Sequence, residues 1–290
     1  MISRHAVDEF VRAAASPEDN LLRCALLIAR VAYPGLDPAP WVAEVERMGA
    51  TARAHVELGL GGRPPRRTRL RVVTEFMYGQ LGFAGNREHY DDPRNSLLND
   101  VIARRTGIPI TLAVVFMEVA ARAGLTVEGV NFPGHFLVRC LAADDEGDRE
   151  PLLLDPFHGG AILSDRECTR LLRTHVGLEA MLEPSMLRPA TKRDILLRML
   201  LNLKRAYVRL RSFPQAHAVA ELLVAFDPSA LTELRDRGLL AYQQGSWASA
   251  LRDLEEWLRM APAATDDDRQ VREQVWDHVK TLRRRLAELN

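Results

Sequence analysis

The sequence predicts a predominantly helical α+β protein with a small antiparallel sheet, followed by an all-α domain of helical repeats. Two observations lead to this prediction. A nearly all-apolar helix pattern at 110–123 precedes three short strand patterns, at 126–132, 135–141 and 151–154. Toward the C-terminus the pattern becomes helical again, and it repeats at a fixed period.

The part of the chain before the core is predicted to be helical. The first domain is expected at 1–185, with this helical part at 1–85 and the α+β core at 86–185. Ser16, which precedes a proline, is typical of a helix start, because its hydroxyl can accept a free main-chain N–H. The apolar spacing over 68–80 predicts a further helix.

The C-terminal domain, expected at 190–290, contains an internal repeat. Its two copies run over 197–229 and 230–263, and a charged helix at 266–289 is expected to cap them. Several residue pairs lie 34 positions apart, namely Pro228 with Pro262, Ala216 with Ala250, and Glu221 with Glu255. A helix–turn–helix unit of this period with a closing proline is the signature of tetratricopeptide repeats. Such arrays commonly hold a peptide or a helix in their groove.

Composition narrows the possible functions of the chain. Its 290 residues include 39 Lys+Arg and 39 Asp+Glu, and this balance argues against nucleic acid or an anionic membrane as a partner. Its cysteines, Cys24, Cys140 and Cys168, are too widely spaced for a disulfide framework or a metal knuckle. No apolar run approaches the about 18 residues of a membrane span, and the N-terminus lacks the apolar region of a signal peptide. We expect a cytoplasmic protein.

One arrangement in the core suggests chemistry. A buried helix begins at Pro109, and three predicted strands follow it. His135 lies on the second of these strands, and Asp155 follows the third. Papain-type sites have this order: a nucleophile at a helix N-terminus, a histidine base, and a carboxylate that orients the histidine. We therefore expect a papain-type core in which His135 pairs with Asp155. The alternative is a hydrogen-bonded pair with a purely structural role.

The segment from Tyr90 to Arg139 closely resembles the SirB family of transglutaminase-like proteins. The matching words are DPRNS, LLN, GIPIT and FPGHF, and the resemblance extends over the N-terminal helices and the repeats. It implies a transglutaminase-like core followed by tetratricopeptide repeats. It implies no particular reaction, since none is firmly attached to that family.

Transglutaminase-like enzymes carry a cysteine where the core helix opens, and in the register of the resemblance Pro109 stands there. Proline has no nucleophilic side chain, whereas cysteine enzymes attack through a thiolate. We therefore expect a non-catalytic module that acts as a protein-interaction or regulatory factor. The alternative is a hydrolase or acyltransferase of peptide or amide bonds, in which Thr111 attacks with His135 as base and Asp155 as its partner.

Further polar residues are candidates for a binding surface beside His135. They are Arg94, Asn95, Asn99, Pro109 and His158. The segment around Asn95 has an alternative role as a cap of the helix that follows. His135, Asp155 and His158 have the residue types of a metal site, but we expect no metal and no cofactor. The expected partner is a protein or peptide, held by the repeat groove and the His135 cleft; the sequence does not predict an oligomeric state.

Overall fold

A computed structural model of the chain describes residues 2–18, 20–58, 64–142 and 150–288. The chain divides into two compact units. The unit that we call the core unit comprises Ala13–Ala29 and Gly35–Met199. The other, the repeat unit, comprises Met1–Arg12, Arg30–Pro34 and Leu200–Asn290.

The helices of the core unit follow the apolar periodicity of the sequence. They are α2 (Leu21–Ile28), α3 (Ala39–Leu58), α4 (Arg66–Thr74), α5 (Leu98–Arg104), α6 (Pro109–Arg122) and α7 (Asp165–Val176). The helix start predicted at Ser16 is wrong, because Asn20 caps α2 by accepting the N–H of Arg23 at 2.8 Å. The Ser16 hydroxyl instead accepts the N–H of Glu18 and closes a tight turn.

The helix predicted at 68–80 is present, but its winding changes part-way. Helix α4 passes directly into a π-helical segment, Glu75–Gln80. Such segments are rare inside proteins and are frequently found at functional sites. This one carries Tyr78, whose ring stacks on Phe116 of α6 with the centroids 6.2 Å apart.

Helix α6 is the centre of the core unit. Every residue from Pro109 to Met117 is buried, as the apolar pattern predicts for a helix without a solvent face. The helix packs against α3, against the strands and against the turn Pro156–His158. Gly124 follows its end with a φ of 82°, a left-handed conformation that glycine adopts without strain.

A four-stranded antiparallel sheet covers α6. Its strands are adjacent in chain order: β3 (Val127–Val130), β4 (Leu137–Cys140), β5 (Leu152–Asp155) and β6 (Ala161–Leu163). The first three were predicted; β6 was not, because three residues after two glycines show no alternation. A separate parallel pair, β1 (Ala84–Gly85) with β2 (Thr106–Gly107), lies just before α6.

The repeat unit contains the predicted tetratricopeptide pattern. Its helices are α8 (Lys192–Arg209), which begins before the unit boundary, α9 (Phe213–Phe226), α10 (Leu231–Gln243), α11 (Trp247–Met260) and the capping helix α12 (Asp266–Glu288). Gly238 of α10 allows close packing against Leu254 of α11, since a Cβ atom at position 238 would lie 2.8 Å from Leu254 Cδ2. Within the described residues, no helix is both long and apolar enough to span a membrane.

The first helix, α1 (Arg4–Ala15), contributes its N-terminal part to the repeat unit. The predicted boundaries group it with the core instead. Phe10 explains the difference: it is fully buried and packs against Phe226 of α9, with the ring centroids 5.6 Å apart. An amphipathic pattern identifies such a helix but does not say which apolar surface it covers.

Glu221 on α9 is a strained point of the repeat unit. Among the described atoms its Oε2 is buried and has no hydrogen-bond partner, and its Oε1 lies 4.0 Å from His217 Nδ1. Burial raises the pKa of Glu221, and the charge of Arg237 offsets this only in part. Glu255, its equivalent 34 residues on, is instead paired with Arg283 at 2.6 Å on the surface.

We expect Glu221→Gln to stabilise the protein at neutral pH. Because the pKa of this carboxyl group is higher in the folded protein than in the unfolded chain, the ionised carboxylate destabilises the fold at pH values above that pKa. The destabilisation disappears when the group is protonated. The midpoint of urea unfolding should therefore rise for the variant at neutral pH, with a smaller gain near about pH 4. Glu255→Gln is the matched control and should change stability by at most about 1 kcal/mol, in the destabilising direction. An equal gain from both variants would contradict the prediction.

Candidate functional site

His135 lies in a tight turn between β3 and β4. The sequence analysis places it on a strand, but β4 begins only at Leu137. The main-chain N–H of His135 donates to the carbonyl of Phe132 at 3.1 Å. Gly134 makes the turn possible, because its φ is 70° and a Cβ atom there would lie 2.4 Å from His175 Cβ. The turn therefore holds the imidazole in a fixed, 4% exposed position.

Asp155 ends β5, and its carboxylate caps the turn that follows. Oδ1 accepts the N–H groups of Phe157 at 3.0 Å and of His158 at 3.3 Å. The same oxygen accepts from His135 Nε2 at 2.9 Å, which is the predicted pairing. Oδ2 accepts from His158 Nδ1 at 2.6 Å. One buried carboxylate thus binds two imidazoles and two main-chain N–H groups.

These contacts decide the charge of Asp155. Burial by itself raises the pKa of the carboxyl group. The hydrogen bond and charge of His135, followed by those of His158, outweigh burial and bring the pKa of Asp155 below its ordinary value. The carboxylate is therefore ionised at neutral pH, as the orienting acid of a His–Asp pair must be.

A third histidine, which the sequence analysis did not single out, joins the cluster. His175, in the last turn of α7, stacks on His135 with the centroids 5.6 Å apart, and His158 stacks on the same ring at 5.9 Å. Both outer rings are exposed, whereas the central ring is buried. Burial, followed by the charge of His135, lowers the pKa of His175. No local sequence signal marks His175, because only the fold brings α7 to the turn at Gly134.

The start of α6 holds two of the predicted site residues, Pro109 and Thr111. Pro109 is the first residue of the helix, and Thr111 is fully buried. The Thr111 hydroxyl donates to the carbonyl of Asn95 at 2.7 Å and accepts the N–H of Ile108 at 3.2 Å. No hydrogen bond described in the structure joins it to His135. The alternative triad of Thr111, His135 and Asp155 is thus not assembled, because capping of the helix start occupies the hydroxyl.

Comparison with known proteins agrees with this architecture. A family model described as the transglutaminase-like superfamily matches residues 39–201, and a tetratricopeptide-repeat model matches residues 203–275. A UPF0162 protein of Xylella fastidiosa is 39% identical over 252 residues, covering 86% of this chain and 86% of the relative. The chain belongs to the transglutaminase-like superfamily and to the UPF0162 family.

Two further relatives of this UPF0162 chain cover less of it than the Xylella protein does. A UPF0162 protein of Vibrio cholerae is 31% identical over 206 residues, which is 71% of this chain and 74% of the relative. F-box only protein 21 of Mus musculus is 38% identical over 112 residues, which is 37% of this chain and 18% of the mouse protein. The similarity to the mouse protein is therefore confined to one segment of each chain.

Two of the predicted binding residues of the UPF0162 chain have structural contacts instead. Asn95 is fully buried; its amide donates to the carbonyls of His89 and Tyr90, and its Oδ1 accepts from Asn86 Nδ2. Arg94 is exposed and forms a two-pronged ion pair with Asp92. Asp92 in turn caps the short turn Pro93–Asn95. The predicted alternative, a cap of the helix that follows, is wrong as well, because α5 begins after Leu97 without a side-chain cap.

Asn99 and Tyr78 each present a buried polar atom to the interior of the core unit. Within the described residues, neither Asn99 Oδ1 nor Tyr78 Oη has a hydrogen-bond partner. Burial and the nearby charge of Asp155 raise the pKa of Tyr78. The Tyr78 ring also lies against Gly160, where a Cβ atom would be 2.7 Å from Tyr78 Cε2. Tyr78 is thus a further neighbour of the site, whereas the sequence pattern predicts only that it lies in the helix at 68–80.

The cysteines of the UPF0162 chain lie away from solvent. Cys24, Cys140 and Cys168 are all buried. Burial, with the charges of nearby carboxylates, raises the pKa of Cys168 to about 11. A catalytic cysteine needs the opposite shift, because the thiolate is the reactive form.

We expect Asn95→Ala to destabilise the core unit by about 1–3 kcal/mol, because it removes the hydrogen bonds of a fully buried amide to the carbonyls of His89 and Tyr90 and to Asn86. The measurement is the free energy of unfolding in urea. Arg94→Ala, at the neighbouring exposed position, is the control and should stay within about 0.5 kcal/mol of the wild type. Equal losses for the two variants would contradict the structural role of Asn95.

Proposed function

We propose that the protein is a non-catalytic transglutaminase-like module, coupled to tetratricopeptide repeats, that acts as a protein-interaction factor. The observation that carries the proposal is the start of α6. Pro109 occupies its first position, and the hydroxyl of Thr111, in the same turn, is bound to the main chain of Asn95. The His135–Asp155 pair therefore has an imidazole base and its carboxylate but no attacking group.

The chemistry of the pair supports this reading. An imidazole activates a nucleophile only within hydrogen-bond reach, at about 2.6–3.2 Å. The described hydrogen bonds of the His135 side chain lead to Asp155 alone. A retained His–Asp pair without its nucleophile is suited to hold a ligand group, because it presents a fixed imidazole beside the exposed rings of His158 and His175.

The repeats indicate the kind of partner. Tetratricopeptide arrays bind peptides or helices along the surface of stacked helix pairs. We propose that a protein or peptide binds this surface and the surface beside His135. Membership of the SirB family and a cytoplasmic location belong to the same proposal. The wide spacing of Cys24, Cys140 and Cys168, which does not match a disulfide framework, supports the location.

The interaction is tested by comparing what the wild type and two sets of variants capture from an extract of the native cells. One variant carries His158→Ala and His175→Ala, and the other carries Arg205→Glu and Thr232→Glu on exposed positions of α8 and α10. We expect a defined protein, retained by the wild type and lost with at least one variant, that also binds when purified. Identical captures by all three proteins, or a hydrolytic activity abolished by His135→Ala, would overturn the proposal.

The assignment of Pro109 to the nucleophile position makes its own prediction. In Pro109→Cys the new thiol should have a pKa below the usual value of about 8.5, because the helix N-terminus and His135 both favour the thiolate. A pH titration of the ultraviolet absorbance of the thiolate should therefore give a lower pKa than in Ala103→Cys, a control on α5. Adding His135→Ala should raise the pKa of the new thiol toward that of the control. A thiol pKa no lower than that of the control would show that Pro109 does not replace the nucleophile.

A further inference from the structure

The side chains of His135, Asp155 and His158 converge on one point. The atoms that each offers as a ligand all lie within 4.8 Å of one another. They come from three different places in the fold: the turn before β4, the end of β5 and the turn after it. Antiparallel pairing of β4 with β5 fixes the distance between these places.

We propose that His135, Asp155 and His158 form a binding site for a divalent transition-metal ion of the Zn²⁺ type. Two imidazole nitrogens and one carboxylate oxygen are the protein ligands of several open zinc sites, and of other first-row metal sites. The proposal goes beyond the interaction role and does not depend on it. The residue types alone did not lead us to expect a metal, because the convergence of the three ligand atoms is a property of the fold.

The distances suit such an ion. Zinc binds nitrogen and oxygen at about 2.0–2.2 Å, so two ligand atoms of a tetrahedral ion lie roughly 3.3 Å apart. His135 Nε2 and His158 Nδ1 lie 2.9 and 2.6 Å from the two Asp155 oxygens. An ion would take the place of the protons in these hydrogen bonds, with a small outward movement of the ligand atoms. The His158 side chain has room for such a movement, since it is 40% exposed.

The hydrogen bonds around Asp155 orient its carboxylate as outer hydrogen bonds orient a metal ligand. Two main-chain N–H groups hold Oδ1 and fix the plane of the carboxylate, so Oδ2 remains directed at His158. Ligating carboxylates and histidines are generally oriented by such outer hydrogen bonds. These N–H groups would keep Asp155 in place after both imidazoles had turned to an ion.

The site is closed on one side and open on the other. The side chains of His135 and Asp155 are 4% and 3% exposed, whereas that of His158 is 40% exposed. An ion can therefore enter past His158 and keep a free position for water or for a group of a bound partner. Three protein ligands and an open position distinguish such sites from closed structural zinc sites.

The neighbouring His175 provides a matched control. It stacks on His135, as His158 does, and it is likewise exposed. It is not a member of the convergent set of ligand atoms. Replacing either outer ring by alanine removes an exposed side chain, so both variants should fold, which circular dichroism checks.

The experiment titrates the metal-free, full-length protein with Zn²⁺ in competition with a chromophoric chelator. We expect one tightly bound ion per chain. His158→Ala should weaken binding by at least about tenfold, whereas His175→Ala should leave it within about twofold. In the wild type and in His175→Ala, Zn²⁺ should raise the melting temperature, and Co²⁺ should show the visible absorption of a four-coordinate site.

Three results would overturn the assignment. The first is that the wild type binds no Zn²⁺ in competition with the chelator. The second is that His158→Ala binds Zn²⁺ as tightly as the wild type, which would indicate adventitious sites at other histidines. The third is that His175→Ala loses as much affinity as His158→Ala, which would assign the ion to a different set of ligands. Each outcome is independent of whether the repeats capture a partner.

Discussion

The core unit depends on the carboxylate of Asp155. It lies at the end of β5, where a buried charge requires compensation, and four donors provide it: His135, the side chain and main chain of His158, and the main chain of Phe157. Leaving such a charge without partners costs several kcal/mol, so the turns that carry these donors are constrained by it. Antiparallel pairing sets the positions of β4 and β5, and the hydrogen bonds to Asp155 hold the two turns at their ends together.

A second constraint lies at the start of α6. The main-chain carbonyl of Asn95 accepts the Thr111 hydroxyl, while the Asn95 side chain binds the loop of His89 and Tyr90. The polar residues that the sequence suggests as a binding surface therefore stabilise the irregular segment before α6. Buried polar groups in folded proteins are nearly always paired, and this requirement competes with function for the same side chains.

Local patterns account for much of what the sequence predicts. The burial of α6, the strands β3 to β5 and the repeat helices follow from apolar periodicity over many residues. The hydrogen bond of His135 to Asp155 was predicted from the order of elements. The direction of the Thr111 hydroxyl, the stacking of His175 and the position of Tyr78 were not, since each is set by a partner far away in the chain. The parallel pair β1–β2 is two residues long, which is too short for any periodic signal.

The division of the chain into two units limits how the protein can be divided into fragments. The repeat unit takes in residues from the N-terminal region as well as the C-terminal one, and Phe10 fills a place beside Phe226. A fragment that begins at the repeats would expose the apolar surface of α9 that Phe10 covers. No single break in the polypeptide separates the two units. A gene fragment that encodes one uninterrupted stretch can therefore contain the core unit nearly alone, but it cannot contain the whole repeat unit without the core.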